Sequence, residues 1–92
     1  MENLISKEKI AKYRSISSEA LEKAKVSINK EKKKEAAEII EMVSCYLSDS
    51  NHFESKGDYE NAFAALSYAH GWLDAGARLK IFKVTDNRLF TV

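Results

Sequence analysis

The sequence predicts an all-α protein, an up-and-down bundle of three helices, and three observations carry that prediction. Proline is absent and glycine occurs only three times in 92 residues, which removes the usual punctuation of β-rich folds. Apolar residues recur at helical spacing over three long stretches. A lone Gly-Asp step separates the second stretch from the third, as in a tight helix-to-helix connection.

The first helix is expected from Ser6 to about Ile28. Ile10, Tyr13, Ile16, Ala20, Leu21, Ala24 and Ile28 share one face at about 100° per residue, and Ser6 suits the cap position. The periodicity breaks at Asn29-Lys30. A second helix, from about Glu31 to Lys56, carries Ala36, Ile39, Ile40, Val43, Tyr46, Leu47 and Phe53 on its stripe, with Glu38, Glu41, Ser48 and His52 away from it. Gly57 can take the left-handed conformation that closes this helix, and Asp58 can cap the third, expected from Asp58 to about Phe82. So short a link sets the second and third helices antiparallel.

The third helix differs from the other two. Tyr59, Ala62, Phe63, Ala69, Leu73 and Ala77 cluster around Leu66 on the wheel, and Ala65, Tyr68, Trp72, Ala75, Leu79 and Phe82 extend that surface most of the way round. Only Glu60, Ser67, Gly71, Asp74 and Arg78 form a polar strip. Two neighbouring helices do not cover so much apolar surface. Either the tail, Lys83 to Val92 with Val84, Leu89, Phe90 and Val92, folds over the remainder, or a second chain does. The expected partner is therefore another copy of the chain, as a homodimer, or a different protein.

A chain of this length forms one small domain, residues 1–92, whose buried fraction makes a monomer only marginally stable. Hydrophobic residues make up 45% of it, which argues against disorder. No apolar run reaches the roughly 20 residues of a membrane span, and Met1 to Lys7 lacks a signal-peptide core, so no membrane partner is expected and a cytoplasmic protein is. The single cysteine, Cys45, has no partner for a disulfide. Cys45, Asp49 and His52 share helical spacing, but Cys45 and His52 point away from the apolar stripe of the second helix while His70 points inward on the third. No metal site and no cofactor is expected from them.

The net charge of +1 conceals an asymmetry, because residues 1–34 carry ten Lys and Arg against five acids and residues 35–92 carry five against nine. Lys30, Lys32, Lys33 and Lys34 form the only charge run. A solvated helix-helix turn is the first reading of it, and a basic patch for nucleic acid the alternative. Lys23 and Lys25 suit the negative end of the first helix, whereas Lys32 to Lys34 sit against the positive start of the second. A sequence pI near 7.8 and the lack of interleaved aromatics weigh against nucleic acid.

The stretch Tyr68-Ala-His-Gly-Trp-Leu-Asp-Ala-Gly76 holds the other candidates: His70, Gly71, Trp72 and Asp74, with Arg78 one turn on. His70 and Asp74 stand one turn apart, which suits either an acid-base pair or a half-buried histidine satisfied by its neighbour beside an Asp74-Arg78 surface pair. The second reading is favoured. No Ser or Cys is placed by spacing to complete a triad, so no catalytic residue is assigned and a non-enzymatic protein is expected. Gly71 and Gly76 each cost about 1 kcal/mol against alanine in a helix. Gly76, on the apolar side, suits close approach of another backbone. Gly71, on the polar strip, suits a ligand or partner contact, and Trp72 a core or interface position.

These residues carry a resemblance. Gly57-Asp58-Tyr59-Glu60-Asn61-Ala62-Phe63-Ala64-Ala65 and Tyr68 to Arg78, with Lys12-Tyr13, Glu19 to Ala24, Tyr46, Asp49, Phe53 and the ending Leu89-Phe90-Thr91-Val92, resemble a family of short archaeal proteins known only as a domain of unknown function. The resemblance implies an archaeal, cytoplasmic origin and a three-helix bundle of the albumin-binding-domain-like type, and it implies no activity. Gly57 to Ala62 also looks like the start of a tetratricopeptide helix. No second copy lies about 34 residues away, which excludes a solenoid. Helical ribonuclease-like domains place an arginine a few residues before a histidine, and neither His52 nor His70 has one there. The functional expectation is a protein-protein interaction module, followed by a nucleic-acid-associated protein and then by an enzyme using His70 and Asp74.

Overall fold

The computed structural model describes residues 5–91 and is an all-α three-helix bundle. Its helices are α1, Lys7–Lys25, α2, Lys33–Ser55, and α3, Tyr59–Arg78, with a short 3₁₀ turn at Lys30–Lys32 between the first two. Met1 to Leu4, read above for a signal-peptide core, and Val92, assigned above to the tail, lie outside the described residues.

Side chains cap the starts of α1 and α3. The Ser6 hydroxyl accepts from the Lys9 amide at 3.0 Å and the Asp58 carboxylate from the Asn61 amide at 3.2 Å, satisfying donors that a helix start leaves free. Asn29 performs the same task for the 3₁₀ turn, accepting from the Glu31 amide. No side chain caps α2.

The helix ends fall short of the expected ones. Lys33–Ser55 starts two residues late because Lys30–Lys32 winds as 3₁₀, and α1 stops at Lys25 rather than Ile28 because residues 27–29 leave the helix to pair with residues 81–83. Asn29 donates its backbone N–H to the Ile81 carbonyl at 2.9 Å, Lys83 donates to the Ser27 carbonyl at 2.7 Å, and Ile28 and Phe82 form an antiparallel bridge. For the same reason α3 ends at Arg78 rather than Phe82. Its end repeats that of α2. After α2, Gly57 sits at φ 77°, the Asp58 amide bonds back to the Phe53 carbonyl and the Gly57 amide to Glu54. After α3, Lys80 sits at φ 62°, the Ile81 amide bonds back to Gly76 and the Lys80 amide to Ala77. Both are Schellman closures, one on a glycine and one on a lysine.

The helices run up, down and up, since Arg14 of α1 meets Ser50 and Glu54 near the end of α2 while Ser17 meets His70 in the middle of α3. The larger core joins Ala20, Leu21 and Ala24 of α1, Ala36, Ile39 and Val43 of α2, and Ala69, Leu73 and Ala77 of α3. A smaller cluster of Ile10, Ala62 and Leu66 fills the opposite end. Ser17, not Tyr13, occupies the centre of the buried face of α1; Tyr13 turns outward and meets the edge of Phe63 with ring centroids 5.3 Å apart.

The tail folds back on its own chain. Asp86 starts a single helical turn by accepting from the Arg88 and Leu89 amides, and Phe90 N–H reaches the Asp86 carbonyl. Leu89 and Phe90 are buried in the larger core with Ile81 and Phe82. The tail lies against the side of α3 that carries His70 and Asp74, so the excess apolar surface of α3 stays open on the other side.

Candidate functional site

His70 is the hub that ties the tail to the bundle. Its Nε2 lies 2.7 Å from the Leu89 carbonyl, which can only accept, so Nε2 carries the proton and Nδ1 accepts from the Ser17 hydroxyl at 3.1 Å. Asp74 is 3.8 Å from Nε2, too far for a hydrogen bond. Its carboxylate instead takes the Thr91 amide at 2.9 Å and the Thr91 hydroxyl at 3.3 Å. The histidine is thus satisfied by Ser17 and a backbone carbonyl rather than by Asp74. The expected Asp74-Arg78 pair is also replaced: among the described residues Arg78 is exposed and pairs with no carboxylate.

Two ion pairs join the tail to α1, Arg88 to Glu19 at 2.6 Å and Lys23 to Asp86 at 3.5 Å. The Arg88 backbone N–H holds the Asp86 carboxyl below its ordinary value of 3.8, with the Leu89 amide and Lys23 acting in the same direction against desolvation. Between α1, α3 and the tail lies a groove of about 440 Å³, walled by Tyr13, Phe63 and Arg88 and floored by Ser17, His70 and Gly71.

Ser17 is the residue that spacing along the chain missed. It stands 53 positions before His70 and meets it only because α1 and α3 run parallel. A Ser-His contact backed by an acceptor is one half of a nucleophilic site. Ser17, however, is 2% exposed and sits in the middle of α1, where backbone N–H groups are committed to the helix and none is free to stabilise an oxyanion.

The two helical glycines separate clearly. A Cβ on Gly76 would stand 2.5 and 2.6 Å from ring atoms of Phe82 and 3.3 Å from Ile39 Cδ1, so Gly76 makes room for a side chain, the Phe82 ring, and not for a backbone. A Cβ on Gly71 would meet nothing within 4 Å. Gly71 also borders a shallow cleft with Ser67, Tyr68, Trp72 and Ala75 on the outer side of α3. There Tyr68 is 63%, Trp72 40% and Leu79 63% exposed.

Cys45 and His52 are both exposed on α2, away from His70, and among the described residues no three His, Cys, Asp or Glu side chains gather as a metal would require. Lys30, Lys32, Lys33 and Lys34 surround the α1-α2 turn. They are joined there by Lys80 and Lys83, which the sequence places some fifty residues away.

Residues 12–82 match the model of a family described as a protein of unknown function, DUF357. The matched span contains His70, Gly71 and Asp74 and leaves the ending Leu89 to Val92 outside it. No curated protein and no solved structure matches the chain.

Proposed function

From the membership of this chain in the DUF357 family, whose description assigns no activity, we propose on its own geometry that it is a non-enzymatic helical interaction module that pairs with a second copy through the outer face of α3. The observation that carries the reading is Gly71. It costs about 1 kcal/mol of helix stability, its φ needs no glycine, and nothing in its own chain uses the space it leaves. Close approach from outside uses that space.

The surroundings suit such an approach. Ser67 and Ala75 stand one turn to either side of Gly71, so the furrow runs along small residues, and Tyr68, Trp72 and Leu79 form an apolar wall alongside. The tail lies against the His70 and Asp74 side of α3 and does not cover Tyr68 or Trp72. His70, Ser17 and Asp74 serve on this reading as the clamp that holds the tail, and not as catalysts.

We place the protein in the cytoplasm of an archaeal cell, following the resemblance of its 68–76 stretch. An exposed free thiol at Cys45 suits a reducing compartment, and among the described residues no helix is long and apolar enough to cross a membrane.

Sedimentation equilibrium of the full chain and of Gly71→Leu tests the proposal. The expected result is a dimer for the former and a monomer of unchanged helicity for the latter, because position 71 accepts a Cβ without contact from its own chain and the longer side chain fills the furrow. A full chain that stays monomeric up to its solubility limit refutes the dimer. A monomeric full chain that shifts only on adding a foreign protein would move the furrow to a heterologous partner.

A further inference from the structure

The end of the bundle where α1 and α3 stop and α2 starts is a polyanion-binding face, and we infer that it takes the phosphate backbone of a nucleic-acid duplex. Folding builds this face from two distant segments. The Ile28-Phe82 bridge, the Asn29 N–H to Ile81 and the Asn29 side-chain amide to the Lys80 carbonyl at 2.9 Å set Lys80 and Lys83 beside the segment that leads into Lys30, Lys32, Lys33 and Lys34. Arg78, the last residue of α3, stands two residues before Lys80.

The acids of this end do not neutralise it. Glu22 is taken by Lys25 and Asp86 by Lys23. That leaves Lys30, Lys32, Lys33, Lys34, Arg78, Lys80 and Lys83, seven cations, none paired with a carboxylate among the described residues, against Glu31 and Glu35. The opposite end is balanced, with Lys7, Lys9, Lys12, Arg14 and Lys56 set against Glu8, Asp49, Glu54, Asp58 and Glu60, so the excess of cations is confined to this end and the whole-chain charge of +1 hides it.

Stability alone does not account for the arrangement. Lys33 and Lys34 open α2, where the helix dipole disfavours cations, and Lys80 holds a left-handed conformation that a glycine adopts without cost. Both features put positive charge where folding resists it. A partner carrying dense negative charge offsets that resistance.

A duplex fits better than a single strand. Phe82, the aromatic of this end's own segment, is fully buried, so nothing here stacks on a base, and recognition falls to phosphates alone. The bundle is 22 by 18 Å in cross-section. A duplex offers one phosphate charge per about 1.7 Å of axis, more than enough across that width to meet every lysine.

Fluorescence anisotropy with short duplexes, one DNA and one RNA, tests the inference independently of the dimer. With about five phosphates contacted, affinity should fall by about 10²–10³ between 50 and 200 mM salt, with little dependence on base sequence. Lys30→Gln/Lys34→Gln/Lys83→Gln should flatten the log-log salt slope by about 2.7, near 0.9 per phosphate. Lys7→Gln/Lys12→Gln/Lys56→Gln, which removes the same charge elsewhere, should leave the slope unchanged. Equal weakening by both triple variants, no binding of either duplex at 50 mM salt, or capture by vesicles of anionic lipid in place of duplexes would each overturn the assignment. Which of the two duplexes binds more tightly then identifies the class of nucleic acid.

Discussion

At the scale of single residues, identical letters carry opposite constraints. Gly71→Ala should raise stability by up to about 1 kcal/mol, the helix-propensity gain, when unfolding is followed in urea at concentrations low enough to keep the chain monomeric. Gly76→Ala should lower it by about 1–3 kcal/mol despite the same gain, because Phe82 must give way in a packed core. Lys80→Gly should stabilise by about 1 kcal/mol by relieving the left-handed lysine at the end of α3. The same substitution removes one cation from the basic end, so stability and duplex affinity should move in opposite directions. Arg14, which bonds Ser50 at 2.7 Å and pairs with Glu54, holds a fully buried hydroxyl whose replacement partner is not at hand. Arg14→Ala should therefore cost more than a surface ion pair is worth.

Among elements, the tail is the one whose stability depends on side-chain clamps. His70→Ala removes the Nε2–H from the Leu89 carbonyl and strands the Ser17 hydroxyl, while Asp74→Asn weakens the hold on Thr91. Hydrogen exchange should accelerate at the Phe90 and Thr91 amides in both variants before it does in the middle of α3. Acid acts on the same element through Asp86. Its carboxyl is lowered in the folded state, chiefly by the Arg88 N–H, so the support it lends is present above the ordinary value of 3.8 and is lost as pH falls through the depressed folded value. The tail amides should accordingly lose protection on acidification below about pH 4, the ordinary carboxylate range. Asp86→Asn should blunt that response.

For the whole molecule, the tail follows the three helices in sequence and belongs to their core. A chain ending at Phe82 exposes the sites of Leu89 and Phe90, each of which contributes about 1.5–3 kcal/mol on burial. It should unfold several degrees or more below the full chain, which thermal melting measures, since a small domain has only a modest margin to lose. Because the tail covers the His70 side of α3, its removal should leave the Tyr68-Trp72 face and any dimer formed there in place until unfolding sets in. The basic end would keep Lys80, which lies before the cut, and lose Lys83 with its N–H bond to the Ser27 carbonyl.

What the amino-acid sequence determined by itself was whatever depends on local order. Apolar spacing marks the three helices, Ser6 and Asp58 are caps because an oxygen three residues before a free amide needs no tertiary help, and Gly57 ends α2 because only its own φ matters. The tertiary structure decided what depends on residues far apart. Lys80 takes the same left-handed turn as Gly57, yet a lysine gives no local sign of it, since the conformation is imposed by the pairing of residues 81–83 with 27–29. His70 and Asp74 stand one turn apart, but their partners are Ser17, Leu89 and Thr91, chosen by the parallel run of α1 and α3 and by the return of the tail. Gly71 and Gly76 fall on different sides of the wheel, yet only the folded chain shows what packs over each, nothing over the first and the Phe82 ring over the second. Helical periodicity reports which side of a helix is apolar, and it carries no information on which neighbour covers that side, because burial is a property of the assembled surface and not of the repeat.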